Sequence, residues 1–66
     1  MNDAEKSDEF ALRQRQLGLS DMELATKLGV HLNTIWRWKN GRSPIPASIF
    51  LAIDGLEAQA LDGKRA

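Results

Sequence analysis

The sequence SDMELATKLGVHLNTIWRWKNG, which covers residues 20–41, decides the fold because it predicts two short helices joined by a tight glycine turn. The first helix opens with Ser20, and Glu23 follows at the spacing of a capping box, in which each side chain satisfies a backbone N–H of the other residue. Apolar residues then recur along one side of this helix, namely Leu24, Ala25 and Leu28. Gly29 ends the helix, because glycine takes the positive φ of such a turn at little cost.

The second helix of the pair is predicted over residues 32–40, and Gly41 ends it. Val30 precedes this helix and is expected to anchor the turn to the core. Steps of about 100° per residue place Ile35 and Trp38 on one side, which we expect to be buried. The opposite side carries Leu32, Asn33, Trp36, Arg37 and Asn40. A merely solvated face is usually rich in Glu and Lys, so this mixture of amide, guanidinium and indole favours a binding role.

Two further helices flank this pair. The first is predicted over residues 8–17, with Ser7 as its N-cap, acidic residues in its first turn and Gly18 after its end. The fourth is predicted to begin near Pro46, which suits a first helical turn because proline lacks an N–H, and to end near Asp62. Its apolar stripe comprises Ile49, Ile53, Leu56 and Ala60, widened by Phe50 and Leu61.

The sequence therefore predicts an all-α fold, a compact bundle of four or five short helices with the glycine-turn pair at its centre. We expect one domain over residues 8–62, between a flexible acidic N-terminus (residues 1–7) and a flexible tail (residues 63–66). A chain of 66 residues leaves no room for a second core. The expected core consists of Leu24, Ala25, Leu28, Val30, Ile35 and Trp38.

The composition argues against several classes of protein. The chain has no cysteine and one histidine, so neither a disulfide framework nor a metal site is expected. The longest apolar run, residues 49–53, is far too short to span a bilayer, and the acidic N-terminus lacks an apolar signal core, so we expect a cytoplasmic protein without membrane contact. No nucleophile–base pair, phosphate loop or carboxylate dyad indicates an enzyme, and neither a cofactor nor a small-molecule ligand is expected.

Charge is unevenly distributed along the chain, although the net charge is zero. Residues 13–42 carry six basic and two acidic residues, a local charge of +4, whereas residues 1–9 carry −3 and residues 43–66 carry −1. A local basic face attracts phosphates even on a neutral molecule. The helix pair points the same way, because the second helix of a helix-turn-helix enters the DNA major groove. The expected partner is therefore double-stranded DNA.

Six short stretches carry a family resemblance: Gly18-Leu19-Ser20, Glu23-Leu24-Ala25, Leu28-Gly29-Val30, Thr34-Ile35, Trp38 and Asn40-Gly41-Arg42. Together they resemble the phage-repressor helix-turn-helix family of the Cro/C1 or XRE type, over about residues 9–61. Pro44-Ile45-Pro46 and the apolar helix after it are similar to small stand-alone members, which are often phage- or plasmid-associated regulators. The resemblance implies a homodimer that binds a palindromic operator and represses transcription.

The resemblance also assigns roles to positions of this sequence. It implies base contacts by Leu32, Asn33, Trp36 and Arg37, and phosphate contacts by Ser20, Asp21, Asn40, Gly41 and Arg42. Asp21 stands where the family often has a glutamine that touches DNA, and an aspartate there repels phosphate unless it faces away. His31 replaces the usual capping serine or threonine, so it is either a poor N-cap or a phosphate contact. Arg13 stands where many members bury a leucine.

Each outward side chain has an alternative interpretation. Arg37 is expected to contact guanine or a phosphate, and Asn33 to contact adenine or to take part in a local cap. Trp36 packs either on sugars and thymine methyls or against a protein partner, because an exposed tryptophan is unusual without a partner for its ring. Leu32 either contacts a thymine methyl or packs near the turn, and Met22 is expected only to pack.

A sequence-specific regulator of transcription, most simply a homodimeric repressor, is the favoured function. The candidate dimer interface is the stripe on helix four, because it looks wider than a small core needs; it consists of Ile49, Ile53, Leu56 and Ala60. The alternative is a protein-interaction module, such as a DNA-binding antitoxin or an adaptor, which grips a partner protein through Trp36 and the same stripe.

Overall fold

The computed structural model describes the backbone of residues 2–65 and the side chains of residues 2–61. Within this range the chain forms four α-helices and no strand. They are α1 (Asp3–Leu17), α2 (Asp21–Leu28), α3 (Leu32–Lys39) and α4 (Ala47–Arg65). The predicted all-α fold is confirmed, with four helices in the part of the chain that the structure describes.

The first helix begins five residues before its predicted start. Asn2 is its N-cap and forms a capping box with Glu5, so residues 3–7, expected to be a flexible terminus, form the first turns of α1. The backbone N–H of Glu5 donates to Asn2 Oδ1 over 2.8 Å. The prediction that Ser7 caps the helix is wrong, because Ser7 lies inside α1 and is buried.

The helix pair over residues 21–39 begins and ends close to the predicted positions. Ser20 caps α2 in a capping box with Glu23, and Gly29 ends the helix with a φ of 71°. His31 precedes α3, and Asn40 and Gly41 follow it, with Gly41 at a φ of 67°. These ends are set by local chemistry, because a capping side chain starts each helix and a left-handed glycine closes the turn.

The last helix is longer than predicted. It begins at Ala47, one residue after Pro46, and continues to Arg65 instead of ending near Asp62. Residues 63–65, expected to belong to a flexible tail, are therefore helical, and the predicted stop at Gly63 is wrong. The remaining residue of that expected tail, Ala66, lies outside the described residues.

The core lies where all four helices meet. Its buried members are Phe10, Leu24, Ala25, Ile35, Trp38, Ile45 and Ile53, and Leu28 and Val30 are partly buried against them. The rings of Phe10 and Trp38 pack edge to face, with centroids 5.7 Å apart and an interplanar angle of 76°. This pair joins α1 to the back of α3, so the outer face of α3 is held at a fixed orientation relative to the bundle.

Arg13 joins α1 to α4. Its Nε donates to Glu9 on the same helix over 2.8 Å, and its Nη1 donates to Asp54 over 2.6 Å and to Glu57 over 3.3 Å. The guanidinium carbon lies 5.8 Å from the ring centroid of Phe50. Arg13 therefore forms an ion-pair network between α1 and α4, and its charge is engaged within the fold.

Candidate nucleic-acid interface

The outer face of α3 projects into solvent. Asn33 and Arg37 are exposed, whereas Ile35 and Trp38 on the opposite side are buried. Residues four apart on a helix lie above one another, so Asn33 and Arg37 form one row, which we call the polar row. Leu32 and Trp36 form a second exposed row beside it, which we call the apolar row. The helix thus presents two parallel rows of side chains and is anchored from behind.

His31 starts this helix as its N-cap. The backbone N–H of Asn33 donates to Nδ1 of His31 over 3.1 Å, and His31 has an extended backbone with a φ of −74° and a ψ of 149°. Of its two interpretations, the structure shows the N-cap, and the phosphate contact stays a prediction. The side chain of Asn33 is exposed, and only its backbone takes part in the cap.

The side chain of Asp21 accepts hydrogen bonds from two other helices. Its Oδ1 accepts a 2.7 Å hydrogen bond from Nε2 of Gln14 on α1 and a 2.9 Å hydrogen bond from Nζ of Lys39 at the end of α3. The hydrogen bond from Gln14, followed by that from Lys39, holds the pKa of Asp21 below its ordinary value. The carboxylate is thus ionised and paired within the fold, which reduces its repulsion of a nearby phosphate.

The N-terminus of α2 lies beside the outer face of α3. The Glu23 N–H donates to Ser20 Oγ over 3.1 Å, and the Ser20 N–H donates to Glu23 Oε1 over 3.0 Å. These hydrogen bonds, led by the one from the Ser20 backbone, lower the pKa of the Glu23 carboxyl. By helix geometry, the N–H groups of Asp21 and Met22 have no acceptor within α2, and such a helix end favours an anion such as phosphate.

The loop after α3 brings Arg42 back beside the helix. The Arg42 N–H donates to the carbonyl oxygen of Arg37 over 2.8 Å, and Nδ2 of Asn40 donates to the carbonyl oxygen of Trp36 over 2.8 Å. The guanidinium carbon of Arg42 lies 5.8 Å from the ring centroid of Trp36. Gly41 takes the positive φ that this reversal needs, so the loop places a cation at the edge of the apolar row.

A shallow groove of about 440 Å³ separates the start of α2 from the apolar row of α3. It is lined by Ser20, Asp21, Met22, Leu32, Asn33 and Trp36. The expectation that Met22 only packs is wrong, because 67% of this residue is exposed in the groove. Five of these six lining residues belong to the predicted base- and phosphate-contacting set, so the groove brings half of that set together.

Gln14 and Lys39, which donate hydrogen bonds to Asp21, are not among the predicted site residues. Gln14 is buried and ties α1 to α2, since its Nε2 also donates to the carbonyl oxygen of Leu19 over 3.1 Å. A signal for its burial exists, because Phe10, Gln14 and Leu17 lie at i, i+4 and i+7 on one face of α1. Lys39 gives no such signal, because its partner Asp21 is 18 residues away.

The predicted dimer interface on α4 is mostly used inside the bundle. Ile53 is 1% exposed and belongs to the core, and Ile49 and Leu56 are partly buried against it. The interpretation of this stripe as surplus apolar surface is therefore wrong for Ile53, which a second protomer cannot reach. Ala60 is exposed. The large exposed apolar residues of α4 within the described side chains are Leu51 and Leu61.

The comparison with protein families identifies the class of this domain. A profile of the homeodomain-like domain matches residues 10–42, which is half of the chain. This segment runs from Phe10 in α1 to Arg42 after α3, and so contains the helix pair and both rows. The chain therefore belongs to the homeodomain-like helix-turn-helix family, a family of DNA-binding domains. Searches of curated proteins and of solved structures returned no significant match.

A helix can cross a membrane only when it is long and predominantly apolar, a requirement that applies to each of the four described helices. Over the part of the chain that the structure describes, none of them combines the length and the apolar character that a bilayer crossing requires.

Proposed function

We propose that this chain is a sequence-specific double-stranded DNA-binding regulator of transcription, with α3 as the recognition helix in the major groove. The observation that carries the proposal is the exposure of Asn33 and Arg37 on a helix whose opposite side is anchored by Ile35 and Trp38. Arginine pairs with the acceptor edge of guanine and asparagine with the edge of adenine, and each good bidentate pair is worth about 1–3 kcal/mol of discrimination.

The surroundings of α3 support phosphate contacts on both sides of the recognition helix. The start of α2 offers backbone N–H groups beside Ser20 and Asp21, and the loop at Asn40 and Gly41 places Arg42 on the other side. An unpaired carboxylate at Asp21 would repel a phosphate at this surface, but Asp21 is paired with Lys39. With few cations on this face, we expect weak binding to non-specific DNA.

Selection of a binding site from random-sequence duplexes, followed by titration, tests the proposal. Arg37→Ala should weaken binding to the selected site by about five- to 150-fold, the range that loss of a bidentate base contact gives. The matched control is Arg15→Ala, which removes an exposed arginine from the last turn of α1, and it should bind nearly as well as the wild type. Equal binding by the Arg37→Ala variant and the wild type would exclude Arg37 as a base-reading residue.

We further propose that the regulator acts as a homodimeric repressor on a palindromic operator, as its likeness to the Cro/C1 type implies. A single recognition helix reads only a few base pairs, and two copies with half-sites about 34–36 Å apart double the contacts. The stoichiometry on the selected site tests this step. A symmetric site that binds two chains supports it, and a single asymmetric site that binds one chain contradicts it.

A protein-interaction module, such as an antitoxin or an adaptor, is the second candidate. It is favoured by the exposure of Trp36 and by the two exposed leucines of α4, Leu51 and Leu61. Ionic strength separates the two functions. DNA affinity should fall steeply as salt rises, whereas an apolar protein contact should be nearly insensitive to it.

A further inference from the structure

The groove between α2 and α3 has an apolar floor. Met22 is 67% exposed, Trp36 53% and Leu32 42%, and all three line the same groove. Single exposed apolar side chains are common on proteins, but a group of three in one concave place indicates a ligand with an apolar part. Met22 comes from α2 and the other two come from the apolar row of α3, so the floor exists only when the two helices are packed.

The rim of the groove is polar and consists of Ser20, Asp21 and Asn33, and two arginines lie close to its apolar side chains. The Arg42 guanidinium lies 5.8 Å from the ring centroid of Trp36, and Arg37 is exposed on the adjacent polar row. The acidic lining residue, Asp21, is paired with Lys39 over 2.9 Å. An apolar floor with such a rim fits a small apolar group carried by a polyanion better than it fits an acidic or purely apolar protein segment.

The major groove of DNA carries one such group, the C5 methyl of thymine, which aliphatic and aromatic side chains contact. The two rows on α3 are about 100° apart around the helix, so a helix lying in the groove presents both rows to the base edges. We infer that Met22, Leu32 and Trp36 form a receptor for thymine methyl groups, while Asn33 and Arg37 read the hydrogen-bonding edges of adjoining base pairs. This inference rests on the proposed function and adds Met22 as a specificity-determining residue.

Deoxyuridine tests the inference, because it differs from thymidine only by the missing methyl group. Each thymine of the selected site is replaced singly by deoxyuridine, and affinity is measured by fluorescence anisotropy. At one or two positions the wild type should bind the substituted duplex about fourfold more weakly, the factor expected for one buried methyl group. At the other thymines, the substitution should leave the affinity unchanged.

Protein variants assign the effect to the groove. Leu32→Ala and Met22→Ala should weaken binding to the thymine duplex and should reduce or abolish the difference between thymine and uracil at the sensitive position. The matched control is Leu12→Ala on α1, where the leucine is 42% exposed, as Leu32 is, and does not line the groove; it should keep both the affinity and the difference. Circular dichroism confirms that each variant is folded before titration.

The outcomes separate this inference from the function on which it rests. If a specific site is selected but replacement of each thymine by deoxyuridine leaves the affinity unchanged, the proposed methyl-binding role of the groove is wrong. The proposed sequence-specific function is then unaffected. The same holds if Leu32→Ala and Met22→Ala bind the thymine duplex as tightly as the wild type, which would leave the groove to a protein partner. If random duplexes yield no specific site, both the receptor and the sequence-specific function are overturned.

Discussion

Lys39, the last residue of α3, donates a 2.9 Å hydrogen bond to Oδ1 of Asp21, the first residue of α2. The two ends of the helix pair are thereby joined on the side away from the glycine turn at Gly29. The same carboxylate oxygen accepts from Gln14 on α1 over 2.7 Å. One oxygen atom thus connects three helices, and it does so beside the groove where the proposed DNA contacts lie.

This arrangement predicts a loss of stability in acid. Because the folded-state pKa values of Asp21 and Glu23 lie below their ordinary values of 3.8 and 4.5, their contribution is fully present above those ordinary values. It is lost as the pH falls through the lower folded values. In the Asp21→Asn variant, we expect the free energy of unfolding to fall less steeply as the pH is lowered. The difference from the wild type should be at most about 1 kcal/mol, because the Asp21–Lys39 pair is partly exposed.

Urea unfolding at a series of pH values measures this effect. Asp8→Asn, which replaces an exposed carboxylate on α1, is the control and should keep the wild-type pH dependence. If the curve of Asp21→Asn parallels that of the wild type down to the acid transition, the ionised form of Asp21 does not contribute to stability.

Arg13 is predicted to stabilise the fold without contributing directly to DNA binding. Arg13→Met removes ion pairs with Glu9, Asp54 and Glu57 and leaves three carboxylates near one another. We expect the free energy of unfolding to fall by roughly 1 kcal/mol, because each such pair is partly solvated. The loss should shrink in high salt, which screens the network.

Denaturant titrations at low and high ionic strength check this prediction, with Arg15→Met as the control on the same helix. DNA affinity, measured at a temperature where both variants are folded, should match the wild type. A large loss of affinity in Arg13→Met would mean that the packing of α1 on α4 also sets the position of the recognition helix.

Arg42 is predicted to act on phosphate rather than on bases. Arg42→Gln should weaken binding to specific and random duplexes by a similar factor and should reduce the slope of log affinity against log salt by about one. Arg37→Gln should instead reduce the ratio of specific to random binding. Titrations of both duplexes over about 50–200 mM salt distinguish the two behaviours, and a selective loss for Arg42→Gln would assign it to a base.

Two glycines are predicted to respond to alanine with opposite signs. Gly29 has a φ of 71° with open space around it, so Gly29→Ala costs about 1–2 kcal/mol through the left-handed backbone alone. Gly55 lies within α4, where an added Cβ also meets open space. Gly55→Ala should therefore stabilise the protein by about 0.5–1 kcal/mol.

Thermal or urea unfolding of both variants measures these changes. Gly29→Asn is a useful third variant, because asparagine tolerates the left-handed region better than alanine and should lose less stability. If Gly29→Ala were neutral, the turn between α2 and α3 would have a different backbone from the one described.

The helix pair could be predicted from sequence because its determinants are local. The capping box of Ser20 and Glu23 lies within four residues, and the turn glycine and the burial of Ile35 and Trp38 follow from spacing along one helix. The exposure of Asn33 on the opposite side follows from the same periodicity. The predicted buried and exposed faces of α3 are therefore confirmed.

The start of α1 could not be chosen from sequence because two capping positions compete. Asn2 with Glu5 and Ser7 before the first acidic turn are both good local signals. The choice is made by packing, since Ser7 is buried and lies close to Gly41 in the loop after α3. These two residues are 34 positions apart in the chain, and no local pattern encodes their proximity.

Whether the apolar stripe on α4 packs inside the bundle or meets a partner depends on how many apolar side chains the core needs. The spacing of Ile49, Ile53 and Leu56 shows that they share a face, but a face can pack inward or meet a partner. Ile53 is 1% exposed and belongs to the same buried cluster as Trp38 and Phe10, a role that becomes visible only when the helices are assembled. The partners of Asp21 escaped prediction for a similar reason, because they come from two other helices.

The position of Ile53 has a consequence for protein engineering. The segment over residues 10–42 contains every proposed DNA-reading side chain, yet Ile45 and Ile53, which complete its interior, lie outside it. A chimera that transplants only that segment would leave Phe10 and Ile35 facing water and would not hold its shape. The smallest portable DNA-reading cassette from this chain must therefore extend from α1 through at least Ile53.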